Sequence, residues 1–400
     1  MMRRTDEVRR AGFRVSRIAT IGSMIGLMLL AACSASPISD PRASKALAAA
    51  ARTGPILSVA QPDEPIVVPL QRGVPSAALQ LDRALHRLGE GFPGDVGIAV
   101  RDVQTGWTSH YRGLDYFPQQ SVSKMWVAIG IFDRLDQGRL RLDDGVEVGV
   151  GDLTLFHQPM RSVVLRPGGF HTTIEDLLIR ALTQSDNTAN DRLLTVLGGP
   201  DAVRAMLSAK TIGGVRFGPG ERLLQSQTAG LSWQPDYSIG ANFDAARNAL
   251  PIAVRREAFD AYTADPVDGA TPYGIVDALA RLADGQLLSP QSTDRLTGIM
   301  SETRTGALRL KSGLQPGWRL AHKTGTGQVF GGEQAGYNDV GILTSPGGRT
   351  YAVAVLIGRT SRPLGERSTL MRRVLAATAD YDAAFATQQA VGGGVQASRR

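Results

Sequence analysis

Three short motifs follow one another along this chain of 400 residues and constrain it more than any other feature: Ser121-Val-Ser-Lys124, Ser185-Asp186-Asn187 and Lys323-Thr324-Gly325. Each is weak alone, and the ordered set is strong. The first has a direct chemical reading. A serine hydroxyl is a poor nucleophile at neutral pH and needs a base within hydrogen-bond reach. If Ser121 opens a helix, Lys124 at i+3 lies beside it on the same face. The run from Met125 to Leu135 is apolar enough for a buried helix, and burial would disfavour charge on Lys124 and help it take a proton. A helix N-terminus at Ser121 would also offer a backbone N–H to a developing oxyanion. Serine and lysine three apart on a surface helix is the plain alternative.

The second motif lies between two stretches with helical spacing, Thr173–Leu182 and Thr188–Leu194. Side chains at such a junction can point into a cleft. The Ser185 hydroxyl could relay a proton to a leaving nitrogen, and Asn187 could bind an amide carbonyl and hold the lysine. Ser, Asp and Asn also favour helix N-caps, which is the bland reading. For the third motif, Lys311-Ser312-Gly313 competes with Lys323-Thr324-Gly325. Lys323 is preferred because it ends a strand-like segment, Trp318–Lys323. Two more, Val340–Thr344 and Tyr351–Ile357, follow as a meander with Gly-rich turns. There a substrate could add as a further strand, with Lys323 and Thr324 meeting its carboxylate. The backbone N–H of Thr326 would complete an oxyanion pair with that of Ser121. Lys311 reads as a solvated loop lysine.

With these residues in view, the segment from about residue 80 to 380 resembles the class A serine β-lactamases, whose motif set is S-x-x-K, S-D-N and K-T-G. Ser185-Asp-Asn-Thr-Ala-Asn, Leu197-Gly-Gly-Pro200, the run Thr271-Pro-Tyr-Gly-Ile-Val-Asp-Ala-Leu and Gly317-Trp318 all resemble that family's wording, as does the interval of 64 residues between Ser121 and Ser185. The resemblance implies a glutamate that activates the water freeing the acyl group. Arg216-Phe-Gly-Pro-Gly-Glu221-Arg-Leu-Leu224-Gln225 supplies Glu221, with Gln225 where the family has a water-binding Asn. Pro219 replaces an arginine that often pins this loop. An insertion at about 226–265, with a helix-like Ala245–Phe259, could extend the loop, cover the cleft or decorate the surface. The resemblance further implies Arg367 as a carboxylate partner and an aromatic gate at Phe156 or His157. The expected catalytic set is therefore Ser121, Lys124, Ser185 and Glu221. The expected binding set is Asn187, Lys323, Thr324, Gly325, Thr326, Gln225 and Arg367. The substrate would be a β-lactam, with no cofactor. A peptidoglycan DD-peptidase or penicillin-binding protein acting on stem peptides, and a penicillin-binding sensor domain that deacylates slowly, stay open as alternatives.

Composition sets an expected compartment. Residues 1–32 carry six arginines against Asp6 and Glu7, then an apolar run interrupted by Gly and Ser. This reads as a signal peptide rather than a spanning helix. It ends Leu30-Ala-Ala-Cys33, which resembles a bacterial lipobox, so lipid attachment to Cys33 is expected. By that resemblance Ser34 favours the outer membrane, with the protein facing the periplasm. Cys33 is the single cysteine, so no disulfide can form within the chain. The net charge of +7 owes +4 to the leader. No basic stripe with aromatics, nucleic-acid motif or metal-ligand spacing appears. Residues 33–75, rich in Ala, Ser and Pro, read as a flexible tether, and 386–400 as a disordered tail. The catalytic domain is expected over 76–385 as a monomer, long enough to bury a full core. Its expected class is α+β: an antiparallel five-stranded sheet flanked by helices from both ends of the domain, with an all-helical subdomain across a cleft.

Overall fold

A computed structural model describes residues 65–66 and 76–397, with side chains to residue 388. Cys33, the leader and nearly all of the tether lie outside the described residues. The central sheet takes strands from both ends of the domain: β1 (Val96–Asp102), β2 (Thr108–Tyr111), β3 (Arg319–Thr326), β4 (Glu333–Thr344) and β5 (Thr350–Thr360). Their order is β2-β1-β5-β4-β3, all antiparallel, and a two-residue strand, Val329–Phe330, pairs with β4 as a sixth. Both faces are covered, so β5 reads as a nearly continuous apolar run rather than an alternating one, and β4 is buried along most of its length although it carries Asn338 and Asp339. On one face Tyr351, Val353, Val355 and Ile357 pack under the terminal helices Ser76–Glu90 and Leu364–Ala397. On the other, Ala352, Ala354, Leu356, Val340 and Ile342 join the core of the helical subdomain.

That subdomain is built on Lys124–Asp136, whose residues from Lys124 to Phe132 are all buried. Around it lie Ile174–Thr183, capped by the Thr173 side chain, and Asn187–Leu197, which Gly198 ends in a left-handed conformation at φ 100°. Two small two-stranded sheets, Phe117–Pro118 with Gly269–Ala270 and Gly145–Val148 with Phe170–Thr173, interrupt the helices.

Two expectations differ from the structure. The helix-like stretch Ala245–Phe259 is two helices, Asn242–Ala249 and Ile252–Ala264. Pro251 separates them: it has no N–H to donate, and it holds the preceding Leu250 extended at ψ 143°. The C-terminal helix does not stop at residue 386 but runs to Ala397. Phe385 stays buried, and Gln388 donates to Ser76 Oγ of the first helix.

The stretch of 226–265 enlarges the loop that carries Glu221. Its neck is closed where Arg216 N donates to Gly269 O at 2.8 Å, Val215 bridges Ala270, and the Arg216 guanidinium meets Asp265 at 2.6 Å. The far end docks on the β4 hairpin. There Arg256 and Arg359 share Asp260 and Glu333, and Phe259 and Tyr262 pack with Leu224, Ala335 and Phe330.

Candidate active site

Ser121 sits in a single 3-10 turn, Gln120–Ser123, that leads straight into the helix Lys124–Asp136. This keeps Lys124 one turn from the hydroxyl, and its Nζ donates to Ser121 Oγ at 2.7 Å. The same ammonium donates to Asn187 Oδ1 at 2.9 Å and to Glu221 Oε1 in a buried ion pair. One nitrogen thus joins the nucleophile, the second motif and the loop carboxylate. Glu221 lies one group from Ser121 rather than at the surface. Its backbone N–H and that of Arg222 donate to Asp191 at 2.9 and 3.2 Å. This is N-terminal capping from a neighbouring helix, since Gly220 has no side chain to do it. Burial, then the nearby Glu221 charge, raises the Asp191 carboxyl to about 6.

The Ser185-Asp186-Asn187 tripeptide serves both readings at once. Asp186 is the cap, accepting from Ala189 N at 3.0 Å and Met160 N at 2.7 Å. Ser185, held at φ 59°, and Asn187 on either side of it face the cleft. Lys323 Nζ donates to Ser185 Oγ at 3.0 Å. Burial, with repulsion from Lys124 next, holds the Lys323 ammonium well below the usual lysine range. The two lysines therefore face the cleft from opposite sides, one against Ser121 and one against Ser185.

Gly325 shows why the third motif needs glycine. A Cβ there would sit 2.3 Å from Gln119 O, in the segment leading to Ser121. Asn338, its partner on β4, donates to Pro118 O and Gln119 O at 2.7 and 3.1 Å, so β4, beside edge strand β3, is stitched to the segment that leads into the nucleophile turn. Thr324 Oγ1 shares a hydrogen bond of 2.7 Å with Thr305. Thr326 Oγ1 accepts from Arg309, whose guanidinium also donates to Gly325 O at 2.8 Å and lies 3.8 Å from the Tyr337 ring centre. Arg309 is the arginine the sequence reading missed. Its signal was faint: an Arg in the loop Thr303–Gly313, near the competing Lys311, which is exposed. Arg367 is spent elsewhere, donating to Arg362 O at 2.6 Å and to Gln334 Oε1, with Tyr337 between it and the strand's chemistry only as a ring contact at 5.1 Å.

Gln225 Nε2 donates to Glu221 Oε2 at 3.2 Å and to Gln120 Oε1 at 3.0 Å, and Gln328 Nε2 donates to its Oε1 at 3.1 Å. Of the two gate residues, Phe156 presents its ring, 47% exposed at φ 60°, leaning on Phe243 of the enlarged loop at 5.2 Å. His157 is fixed by its backbone carbonyl, which accepts from Asn187 N at 2.9 Å, and by a ring contact to Gln184 O at 2.8 Å. Among the described residues no group of three His, Cys, Asp or Glu side chains could hold a metal ion.

The sequence profile of the beta-lactamase enzyme family matches residues 80–381. Beta-lactamase VEB-1 of Pseudomonas aeruginosa is 28% identical over 266 residues, 66% of this chain and 78% of that protein. The crystal structure of a beta-lactamase from Chitinophaga pinensis matches with a TM-score of 0.62 at 26% identity, over 76% of this chain and 99% of the other. An ancestral class A beta-lactamase structure matches with a TM-score of 0.58 at 30% identity, over 75% and 99%.

Proposed function

The chain belongs to the beta-lactamase enzyme family, as a class A serine enzyme, and on that premise we propose how its residues hydrolyse a β-lactam amide. The observation that carries the assignment of roles is the triple contact of Lys124 Nζ with Ser121, Asn187 and Glu221. Ser121 Oγ attacks the lactam carbonyl carbon as its proton passes to Lys124, whose ammonium gives one of its own to Glu221, either before the attack, with Lys124 as base, or together with it, with Glu221 as base. Backbone N–H groups of Ser121 and Thr326 receive the oxyanion. As the C–N bond breaks, Ser185 gives its proton to the leaving nitrogen and is resupplied by Lys323, and the proton taken from Ser121 then returns to Lys323, so that Glu221 is ionised again before deacylation. Water then attacks the ester carbonyl while Glu221 takes its proton, the ester C–O bond breaks, and Ser121 recovers its hydrogen. Asn187 holds the substrate's amide side chain, Gln225 the water, and Lys323, Thr324 and Arg309 draw the substrate carboxylate. Phe156 walls the mouth of the cleft.

The location is part of the same proposal: signal-peptide cleavage before Cys33, a lipid on its sulfur, and a monomer facing the periplasm from the outer membrane. Globomycin should block that processing; insensitivity together with an unlipidated Cys33 by mass spectrometry would refute the anchor.

The roles are tested by intact-mass spectrometry of the domain with a penicillin over time, in wild type and Glu221→Ala. An adduct on Ser121 that vanishes in wild type and persists in Glu221→Ala establishes Glu221 as the deacylation base. A long-lived adduct in both overturns that role in favour of a penicillin-binding protein. No adduct in either overturns the acylation mechanism.

A further inference from the structure

The enlarged loop reaches the catalytic carboxylate through a chain of hydrogen bonds whose direction is fixed at its far end. Tyr262, on the helix Ile252–Ala264, donates its hydroxyl proton to Asp268 Oδ1 at 3.0 Å. Asp268 Oδ2 accepts from the backbone N–H of Gln120 at 2.8 Å, and Gln119 Nε2 donates to the Asp268 carbonyl at 2.6 Å. The carboxylate is thus pinned from both sides. While Asp268 is ionised the Tyr262 proton is committed to it, so the phenol oxygen can only accept from the next group, and Gln120 Nε2 donates to it at 2.5 Å. The Gln120 amide is then oriented with Oε1 toward Gln225, and it accepts from Gln225 Nε2. That, together with Gln328 Nε2, which donates to Gln225 Oε1 at 3.1 Å, points the Gln225 amino group at Glu221 Oε2. All five side chains in this relay, Asp268, Tyr262, Gln120, Gln225 and Glu221, are buried.

An amide has one accepting and one donating end, and either can be turned to a neighbour. Nothing in Gln120 or Gln225 alone chooses. If Gln120 turned over, its amino group would face that of Gln225, and relieving this clash would present Gln225 Oε1 to the Glu221 carboxylate. Buried polar groups left facing like groups are costly. Gln120 is also the residue before the nucleophile, in the left-handed region at φ 53°, and its amide meets Tyr262 and Gln225 of the loop. The extra methylene of Gln225 over an asparagine supplies the length with which one amide meets both Gln120 and Glu221.

We propose that Tyr262 is a positioning residue for deacylation, setting the polarity of the Gln120–Gln225 amide relay so that Gln225 donates to Glu221. Resting on the role of Glu221 proposed above, it assigns part of the enlarged loop to the second half of the reaction. Acylation depends on Ser121, Lys124 and Ser185 and meets the relay only through the Lys124–Glu221 pair, at Oε1 rather than at the Oε2 that Gln225 holds.

The test uses the same mass-spectrometric time course with a penicillin, comparing Tyr262→Phe, Gln225→Ala, the double variant and Glu221→Ala, with adduct formation and decay rates taken separately. Tyr262→Phe should slow adduct decay about tenfold, the effect of one hydrogen bond, while formation changes less than about twofold. The double variant should decay no more slowly than Gln225→Ala alone, because both changes act through one contact. Equal slowing of formation and decay, or additive slowing in the double variant, would overturn the relay and leave Tyr262 as packing. Unchanged decay in Tyr262→Phe beside a persistent adduct in Glu221→Ala would overturn this inference alone. Rapid decay in Glu221→Ala would overturn the reading on which it rests.

Discussion

The two sides of the cleft hold their chemistry in different ways. On the motif side, Lys124, Ser185, Asn187 and Lys323 stand on or beside regular elements, and each is fixed by one or two short contacts to another motif residue. On the loop side, Glu221 and Gln225 lie on a helix of eight residues, Glu221–Thr228, whose start is capped by Asp191 from elsewhere. The excursion from Arg216 to Gly269 that follows is held by a neck and by a docking contact on β4. The motif side is rigid because its backbone is core. The loop side is rigid only as far as its long-range bonds make it so. Changes on the first should remove a chemical step, and changes on the second, Glu221 itself apart, should slow one.

The largest expected effect is that of Ser121→Ala, which should abolish the covalent adduct and lower kcat by on the order of 10⁵-fold or more, as loss of a catalytic nucleophile does elsewhere. Fold and thermal stability should barely change, since Ser121 is only partly buried. Turnover within a hundredfold of wild type would break the comparison at its strong end. Next comes Arg309→Ala. Its guanidinium donates to Gly325 O, Asn338 O and Thr326 Oγ1, so truncation leaves buried acceptors unpaired and loosens β3 where the substrate carboxylate is drawn. We expect KM to rise by about tenfold or more with a smaller fall in kcat, and stability to drop by about 2 kcal/mol. Arg367→Ala should leave KM within about twofold, because that side chain is engaged with Arg362 and Gln334. Steady-state kinetics on the pair distinguishes the two arginines, and a larger KM effect for Arg367 would reverse their assignment.

This division also governs what could be read from the chain. Ser121 with Lys124 is legible because the spacing fixes the geometry once a helix forms, and Gly325 because its neighbours name the motif. The antiparallel meander is legible because Gly-rich turns separate three strand-like runs. Arg309 was not, since a loop arginine carries no period and only the folded β3 and β4 give it partners. Nor was the polarity of Gln120: three residues far from it in sequence, Gln225, Tyr262 and Asp268, decide it together. The break at Pro251 was readable in principle, since the residue before proline avoids helix, but the flanking helical composition masked it.

A smaller effect, on stability, probes the buried acid at the end of the relay. Burial, opposed by its hydrogen bonds with Gln120 and Tyr262, raises the Asp268 carboxyl to about 7. A carboxyl with a folded value above its unfolded one binds more protons in the native state over the interval between them. Its contribution to stability is therefore complete below about pH 4 and is lost as pH rises through about 7. Asp268→Asn cannot ionise, so the stability advantage of wild type over the variant should shrink steadily between pH 4 and 7 and flatten above. Urea titrations across that range measure it. A difference that grows with pH would mean that Asp268 is held ionised by its neighbours. Asp191, raised to about 6, acts in the same sense but is common to both proteins and cancels.

The smallest effect is expected at the neck of the enlarged loop. Arg216 pairs with Asp265, whose side chain is 83% exposed, so the ion pair is screened by water and worth at most about 1 kcal/mol. The guanidinium also lies 4.0 Å from the Tyr116 ring centre, a contact of similar size. The neck does not depend on either, because the Arg216 backbone N–H donates to Gly269 O and Val215 bridges Ala270. Arg216→Ala should thus change adduct decay by less than about threefold, the equivalent of well under 1 kcal/mol. Asp260→Ala, at the docking end, removes an acceptor shared by Arg256 and Arg359 beside Tyr262 and should slow decay more. If opening the neck proved the more damaging of the two, the loop would be positioned from its stem. The Glu221 carboxylate would then owe its place to local backbone closure rather than to the helix docked against β4.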